Sequence, residues 1–496
     1  MVSKSFITAA MLYDIVRCPH RPSMDLFGNP TDRDEINPFV QLLWEKGTSF
    51  EKEVISGVGE TFVDLSRFAG DEKEQKTMEA MENGAPLIYG GRISADDLLG
   101  DPDLLRLEGS AYVAGDIKSG SGDEGFEDNA KLKKHYGVQL ALYTDILERK
   151  GLSSSRQPFV WDIHGEEVTY GLEEPQGKRA PWTVWELYKN TLLEARAIIA
   201  KEARTKPAYG GGCKLCHWYT ACLRTLDRSN DLTLLPELGR TKRDALSPAF
   251  SKIIDLASSN IEEFVKGRKT DFPGIGPDTL RKFHNRAKLV SDTSGKPYQT
   301  NPIVLPSSEI ELFFDIEVDP MRDLCYLHGF VERRNGDTAQ ERYIAFFTDD
   351  TSAAEEERAF REAWNFIKER QPCIVYYYSK YERTIWRQLQ NKYPSVYSVE
   401  EIEELFDPAS SIDLYFDVVK KATEWPTRDH SIKTLAKYLG FNWRDTNPSG
   451  AASIEWFDRW IESSDPEIKQ RILDYNEDDC IATRVLLDGI RQLGEF

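Results

Sequence analysis

Three sets of residues in this chain have the types and spacing to do chemistry. The first joins Pro102-Asp103 to Asp116-Ile117-Lys118 across a strand–turn–strand pattern, with Leu104 to Leu107 and Ala111 to Ile117 as strands and Glu108-Gly109 as the turn. Such a hairpin brings Asp103 and Asp116 to the same end of a sheet. Side chains two apart on a strand share a face, so Asp116 and Lys118 point together. Two carboxylates can hold Mg²⁺ or Mn²⁺, while the ammonium orients attacking water and balances charge at a phosphate. D-x-K alone is a common chance pattern, and its surroundings strengthen it. Gln139 and Tyr143, four apart, lie on one side of a helix. Lys131, Lys133 and Lys134 precede them, and Gly47-Thr48-Ser49-Phe50-Glu51 opens a helix that offers a further carboxylate.

The second set lies far down the chain. Phe313-Phe314-Asp315-Ile316-Glu317 ends a strand with two carboxylates on one face, and Tyr475-Asn476-Glu477-Asp478-Asp479 sits in the closing helix. There Tyr475 precedes Asp479 by one turn and points the same way, while Asp478 is expected to face solvent. Between them a buried strand (Ile374-Val375) runs into a helix carrying Glu382. Asp413 reads equally as another ligand or as a helix N-cap. The third set is Cys18, Cys213, Cys216 and Cys222. Four thiolates suit zinc or an iron–sulfur cluster, and the spacing does not choose between them. His20 and His217 flank these thiols and read as packing or surface residues. Cys325, Cys373 and Cys480 sit singly in apolar surroundings and read as core.

The elements that must position these sets fall into three regions: 1–225, 226–300 and 301–496. A chain of 496 residues holds several cores. The expected class is an α/β multidomain protein with a helical middle. No apolar run is long enough to span a bilayer and Met1 to Ala10 lacks a leader pattern, so a cytoplasmic protein without membrane partners is expected. The formal charge of −20 argues against a protein that coats nucleic acid through bulk electrostatics. It leaves room for local contacts at a groove or strand end. In the middle region Leu235-Pro236-Glu237-Leu238-Gly239 is echoed by Phe272-Pro273-Gly274-Ile275-Gly276, with Leu246 and Phe283 at the same offset. This resembles a helix-hairpin-helix unit, in which a glycine-rich turn approaches phosphates. Arg240, Lys242 and Arg243 follow the first turn; Arg281, Lys282, Arg286 and Lys288 follow the second.

Residues of about 10–225 resemble the RecB family of PD-(D/E)xK nucleases, which share the restriction-endonuclease-like fold: a glycine-led helix with a ligand, a PD, a DxK, then Q-x-x-x-Y. The resemblance implies Asp103 and Asp116 as metal ligands, Lys118 as catalytic, and Gln139 and Tyr143 as supports of site and substrate. Glu51 stands where these nucleases often have His. Members of the AddB and CRISPR-associated type place one cysteine before the core and three after it around a 4Fe–4S cluster, which is the order here. Residues of about 308–496 resemble DEDD exonucleases on a ribonuclease H-like fold. That implies Asp315, Glu317 and Asp479 as ligands of two Mg²⁺ or Mn²⁺ ions, with Tyr475 assisting. Glu382 stands where that family usually has Asp. The order of parts resembles putative RecB-like nucleases, many of which continue into a helicase. No G-x-x-x-x-G-K-[ST] loop occurs in this chain, so a helicase is expected to act in trans. The expected function is hydrolysis of phosphodiesters in single-stranded DNA or DNA ends. The alternatives are an RNA-processing 3′–5′ exonuclease working through the DEDD domain and a non-catalytic adaptor for nucleic-acid ends.

Overall fold

The computed structural model describes residues 6–59, 61–124, 131–153, 155–177, 181–446 and 448–493. The first five residues of the segment weighed as a leader lie outside them. The chain divides into two compact units. The first comprises the residues up to Pro207 with Gly212–Cys222; the second comprises Ala208–Gly211 with the residues from Leu223 onward.

The first unit is built on β1 (Val63–Asp64), β2 (Leu87–Tyr89), β3 (Leu104–Glu108), β4 (Ala111–Ile117), β5 (Phe159–Trp161) and β6 (Glu167–Thr169). They form one mixed sheet in the order β6-β5-β4-β3-β2-β1. Alternation along the strands supplies a core on each face. Leu105, Ala114 and Val160 pack against helices α1 (Ala9–Arg17), α3 (Lys134–Arg149) and α4 (Val184–Ile199). Leu104, Val113 and Phe159 face the other way with Ile55 of α2 (Pro38–Gly57). That helix begins earlier than its glycine suggested. Asn37 caps it through the Phe39 N–H at 2.9 Å, and Pro38 takes the first position, where a missing N–H costs nothing. Gly47 to Glu51 therefore lie within α2 and do not open it. Helix α5 (Tyr219–Ser229) carries Cys222 at the end of this unit.

The second unit contains the helical middle region and a second sheet. Helices α6 (Gly239–Leu246), α7 (Ile253–Ser258) and α8 (Pro277–Ser291) close around a common apolar core. The two echoed turns contribute equivalent residues to it: Leu235, Leu238 and Leu246 from one, Phe272, Ile275 and Phe283 from the other. Glu237 and Gly274, at matching places in the turns, are both left-handed, with φ of 63° and 74°. Basic residues expected to meet nucleic acid here are partly consumed by the fold. Arg286 is 1% exposed and binds Glu424 at 2.7 Å, the Pro236 carbonyl at 2.8 Å and Glu237 at 3.0 Å. It sits three residues after Phe283 and so lies on the packed stripe of α8. Arg243 is likewise buried against Asp231. Both leave the set of candidate phosphate contacts. The region is not purely helical, since Val265–Lys266 pairs with Lys269–Thr270 and Tyr298–Gln299 with Thr423–Glu424.

The second sheet comprises β7 (Ile310–Asp319), β8 (Leu324–Arg334), β9 (Asp337–Phe347), β10 (Ile374–Tyr377) and β11 (Ser411–Asp413), ordered β9-β8-β7-β10-β11. The first three strands are antiparallel, and β7, β10 and β11 run parallel. Helices α9 (Ala353–Lys368) and α10 (Tyr381–Lys392) pack on one face through Phe360, Ile367 and Trp386. Short α11 (Ile432–Tyr438), α12 (Gly450–Ser463) and the long α13 (Pro466–Arg491) carry residues of the cores on the opposite side, among them Leu435, Phe457 and Leu486. Cys325, Cys373 and Cys480 are buried, as their surroundings suggested.

Candidate functional site

In the first unit the β3–β4 hairpin forms with Leu104 opposite Gly115, so Asp103 and Asp116 meet at one end. Gly115 is required by close packing: a Cβ there would lie 2.4 Å from the Phe159 ring. Asp116 is the parallel partner of Val160 and points with it toward α3. Lys118 Nζ lies 2.8 Å from Asp116 Oδ2 and 4.0 Å from Asp103 Oδ2. The Asp103 carboxylate accepts the Ile117 N–H at 2.8 Å. Burial first, then the neighbouring Asp116 charge, pushes Asp103 up to about 8; Glu51 adds to this and Lys118 opposes it. Burial alone would lower Lys118, but Asp116 and Asp103 outweigh it and raise the lysine. Tyr89 on β2 is raised by burial and by its hydrogen bond to Glu51, which links that carboxylate to the site. Gln139 Oε1, on α3, is buried without a hydrogen-bond partner. Tyr143, one turn further, is 4% exposed and is raised by burial and then by Asp116 and Asp103.

Beside this cluster lie Tyr13, His135 and Tyr136, which were not singled out from sequence, next to Lys118 and Lys133, which were. Tyr13 and His135 rings meet edge-on at 4.8 Å, and His135 meets Tyr136 at 4.7 Å. The Lys118 and Lys133 ammonium groups stand 5.6 and 5.2 Å from the Tyr136 ring. Burial, followed by Arg17 and the two lysines, holds His135 down at about 4. The aromatic and basic residues at the start of α3 were the available signal.

The four cysteines of this unit are half-buried. Cys18 follows α1, Cys213 and Cys216 lie in and just after a short turn of 3₁₀ helix, and Cys222 is on α5. Burial raises Cys216, and Cys18 and Cys213 are near enough to add to the shift. His217 pairs with Asp25 at 2.7 Å and His20 contacts Thr205 at 2.9 Å, which accounts for both as packing residues.

In the second unit Asp315, Glu317 and Asp479 bring carboxylate oxygens within 4.8 Å of one another. Strand alternation aims the first two from β7, and α13 crosses above them to supply the third. Asp315 is raised by burial and then by Asp479, Glu317 and Glu382. Burial and Asp479 push Glu317 up to about 8. Hard oxygen donors packed this closely, with their ionised forms disfavoured, fit divalent metal ions. Glu382 lies in the first turn of α10, is 4% exposed, and keeps Oε2 without a hydrogen-bond partner, though it stands outside the close triad. Burial raises it, followed by Asp413 and Asp479. Asp413 resolves as a cap: Oδ1 accepts the N–H groups of Ser379, Tyr415 and Phe416 at 3.1, 3.0 and 2.9 Å.

Tyr475 is buried beside Asp479, and both are held by Lys433 of α11. Lys433 Nζ donates to the Tyr475 hydroxyl at 2.9 Å and to the two Asp479 oxygens at 3.1 and 3.2 Å. The Trp443 indole donates to Asp479 at 2.8 Å. Asn476 donates to Asp315 at 2.7 Å and accepts from the Tyr343 hydroxyl at 2.8 Å. Lys433, Trp443 and Asn476 were not found from sequence. Asp478, expected at the surface, is 4% exposed and pairs with Arg444 at 2.9 Å.

A five-stranded sheet of this order, with a carboxylate triad shared between its central strand and the closing helix, defines a ribonuclease H-like domain. Residues 312–490 match the sequence model of the RNase_H superfamily. No curated protein matches the chain.

Proposed function

We propose that this protein is a metal-dependent nuclease that hydrolyses phosphodiester bonds in single-stranded DNA or at DNA ends. The observation that carries the reading is the convergence of Asp315, Glu317 and Asp479 in a ribonuclease H-like domain. Mg²⁺ or Mn²⁺ bound there would activate water and stabilise the leaving oxygen. The chain's own residues hold the site: Asn476 fixes Asp315, Trp443 and Lys433 fix Asp479, and Tyr475 is kept at its edge. Asp103, Asp116 and Lys118 form a second hydrolytic site of PD-(D/E)xK type, with Glu51 as an additional carboxylate and with Gln139 and Tyr143 lining it.

One feature favours a single strand. The Tyr13, His135 and Tyr136 rings beside Lys118 and Lys133 can stack unpaired bases near a phosphate. In the second unit Arg281, Lys282, Lys420 and Lys421 line a cleft of about 340 Å³ together with Asp278 and Glu424, and all four are ion-paired, so a phosphate there would have to displace a carboxylate. Cys18, Cys213, Cys216 and Cys222 are assigned to a 4Fe–4S cluster that clasps the first unit. What supports a shared group is that Cys18 and Cys213 stand near enough to Cys216 to act on its thiol, and that the order of the four cysteines is that of the iron–sulfur nucleases this part of the chain resembles. A helicase acting in trans would supply the single strand.

The test is cleavage of end-labelled single-stranded DNA and RNA, with Mg²⁺ or Mn²⁺, by anaerobically purified protein whose iron and sulfide are quantified. Lys118→Ala and Asp315→Ala are compared with wild type. DNA cleavage lost in one or both variants supports the reading and apportions the work. Loss only in Asp315→Ala with RNA preferred would favour an RNA exonuclease. Wild-type inactivity on every substrate would leave an adaptor for nucleic-acid ends.

A further inference from the structure

Four carboxylates, those of Asp315, Glu317, Glu382 and Asp479, are gathered in the second unit, where like charges in a low dielectric repel strongly. The cation bonded to this group is Lys433. It is the second residue of α11, whose start is fixed by the Ser431 side chain capping the Thr434 N–H. Its ammonium engages both Asp479 oxygens and the Tyr475 hydroxyl, and stands 4.8 Å from the Tyr475 ring and 5.3 Å from the Trp443 ring. A charge held by so many partners is fixed in place. It stabilises the cluster, and it opposes any divalent cation brought to the same carboxylate.

We propose that Lys433 is the resident counter-cation of the triad: it holds Asp479 and Tyr475 in register and weakens divalent-metal binding until a substrate phosphate offsets its charge. Metal and phosphate then bind cooperatively, because each reduces the electrostatic penalty of the other. The proposal rests on the metal-binding reading of Asp315, Glu317 and Asp479. It adds that full metal loading is coupled to occupancy by a nucleotide phosphate.

The experiment is Mn²⁺ titration followed by electron paramagnetic resonance, on the full chain in an Asp116→Asn background that removes the first unit's carboxylate pair. Wild-type Lys433, Lys433→Met, Lys433→Gln and Lys433→Arg are compared, with and without thymidine 5′-monophosphate, and melting curves in EDTA verify folding. Without nucleotide, the Met and Gln substitutions are expected to bind Mn²⁺ at least tenfold more tightly, and Arg to stay near wild type. The nucleotide should tighten Mn²⁺ binding for Lys433 and Lys433→Arg and do much less for the neutral variants. Equal or weaker Mn²⁺ binding by folded neutral variants, with wild type binding normally, overturns the counter-cation alone. Absence of Mn²⁺ binding in every variant overturns the metal reading of the triad and the counter-cation with it.

Discussion

Gly329 sets the place of Asp315 without touching it chemically. On β8 it lies directly opposite Asp315, and Asn476 of α13 descends onto the space where a side chain would be. A Cβ at Gly329 would stand 1.6 Å from Asn476 Oδ1 and 3.1 Å from the Tyr343 ring. Gly329→Ala therefore forces the Asn476 amide away by about 2 Å to restore van der Waals contact. That movement breaks the 2.7 Å bond to Asp315 and the 2.8 Å bond from Tyr343. Two buried hydrogen bonds, one to a carboxylate, contribute about 2–4 kcal/mol, and overpacking adds about 1–3 kcal/mol. A destabilisation of about 4 kcal/mol is expected in urea unfolding, with weakened Mn²⁺ binding because Asp315 is released. Asn476→Ala relieves the clash, so the double variant should fall at least about 2 kcal/mol short of the sum of the singles. An Ala at 329 that leaves stability and Mn²⁺ affinity unchanged, or a strictly additive cycle, refutes this account.

Two further outcomes follow from buried charge. Arg286→Met leaves Glu424, 7% exposed at its side chain, without its 2.7 Å partner, and should cost about 3 kcal/mol in the free energy of urea unfolding while DNA affinity holds. Unchanged stability with lost DNA affinity would instead return Arg286 to the binding surface. Burial would raise Glu332, but bonds from Arg370, Arg334 and Arg342 prevail and hold it at about 2. Its folded value lies below the unfolded value of about 4.3, so its stabilisation is present above that pH and is lost as pH falls toward 2. With two of the three arginines half-exposed, about 2 kcal/mol is expected. The stability gap between wild type and Glu332→Gln should shrink by about half of that amount from pH 6 to pH 3, the remainder being lost only as pH approaches the folded value near 2. A constant gap would sink the assignment.

What could be read from sequence was whatever depends on local periodicity. Alternation placed Asp315 with Glu317 and Asp116 with Lys118; one helical turn placed Tyr475 with Asp479. What failed depends on which surface a helix finds. Arg286 and Asp478 each follow a buried aromatic residue by three positions, Phe283 and Tyr475, and so share its packed face. Their charge suggested solvent, and ion partners from elsewhere in the chain made burial tolerable. Lys433 carried no local signal, because its role arises when α11 packs beside α13. Gly329 did carry one: a glycine inside an apolar strand marks close approach of another group.

Both carboxylate clusters meet the same electrostatic demand, and they meet it differently. In the first unit the neutralising ammonium is two residues from Asp116, just past the end of β4, so the pair forms as soon as β4 does and separates only if the sheet distorts. In the second unit the ammonium arrives on a short helix far from Asp315 and Glu317 in sequence. Its bonds to Asp479 and Tyr475 exist only when α11 and α13 are docked. A lysine two residues from Asp116 stays beside that carboxylate wherever the strand goes. A lysine on a separate element, held in place by Asp479 and Tyr475, answers to occupancy through its charge. The two lysines should therefore differ under the same substitution. Neutralising Lys118 should disturb the ionisation and placement of Asp103 whether or not substrate is present, whereas neutralising Lys433 should act mainly through the balance between metal and phosphate.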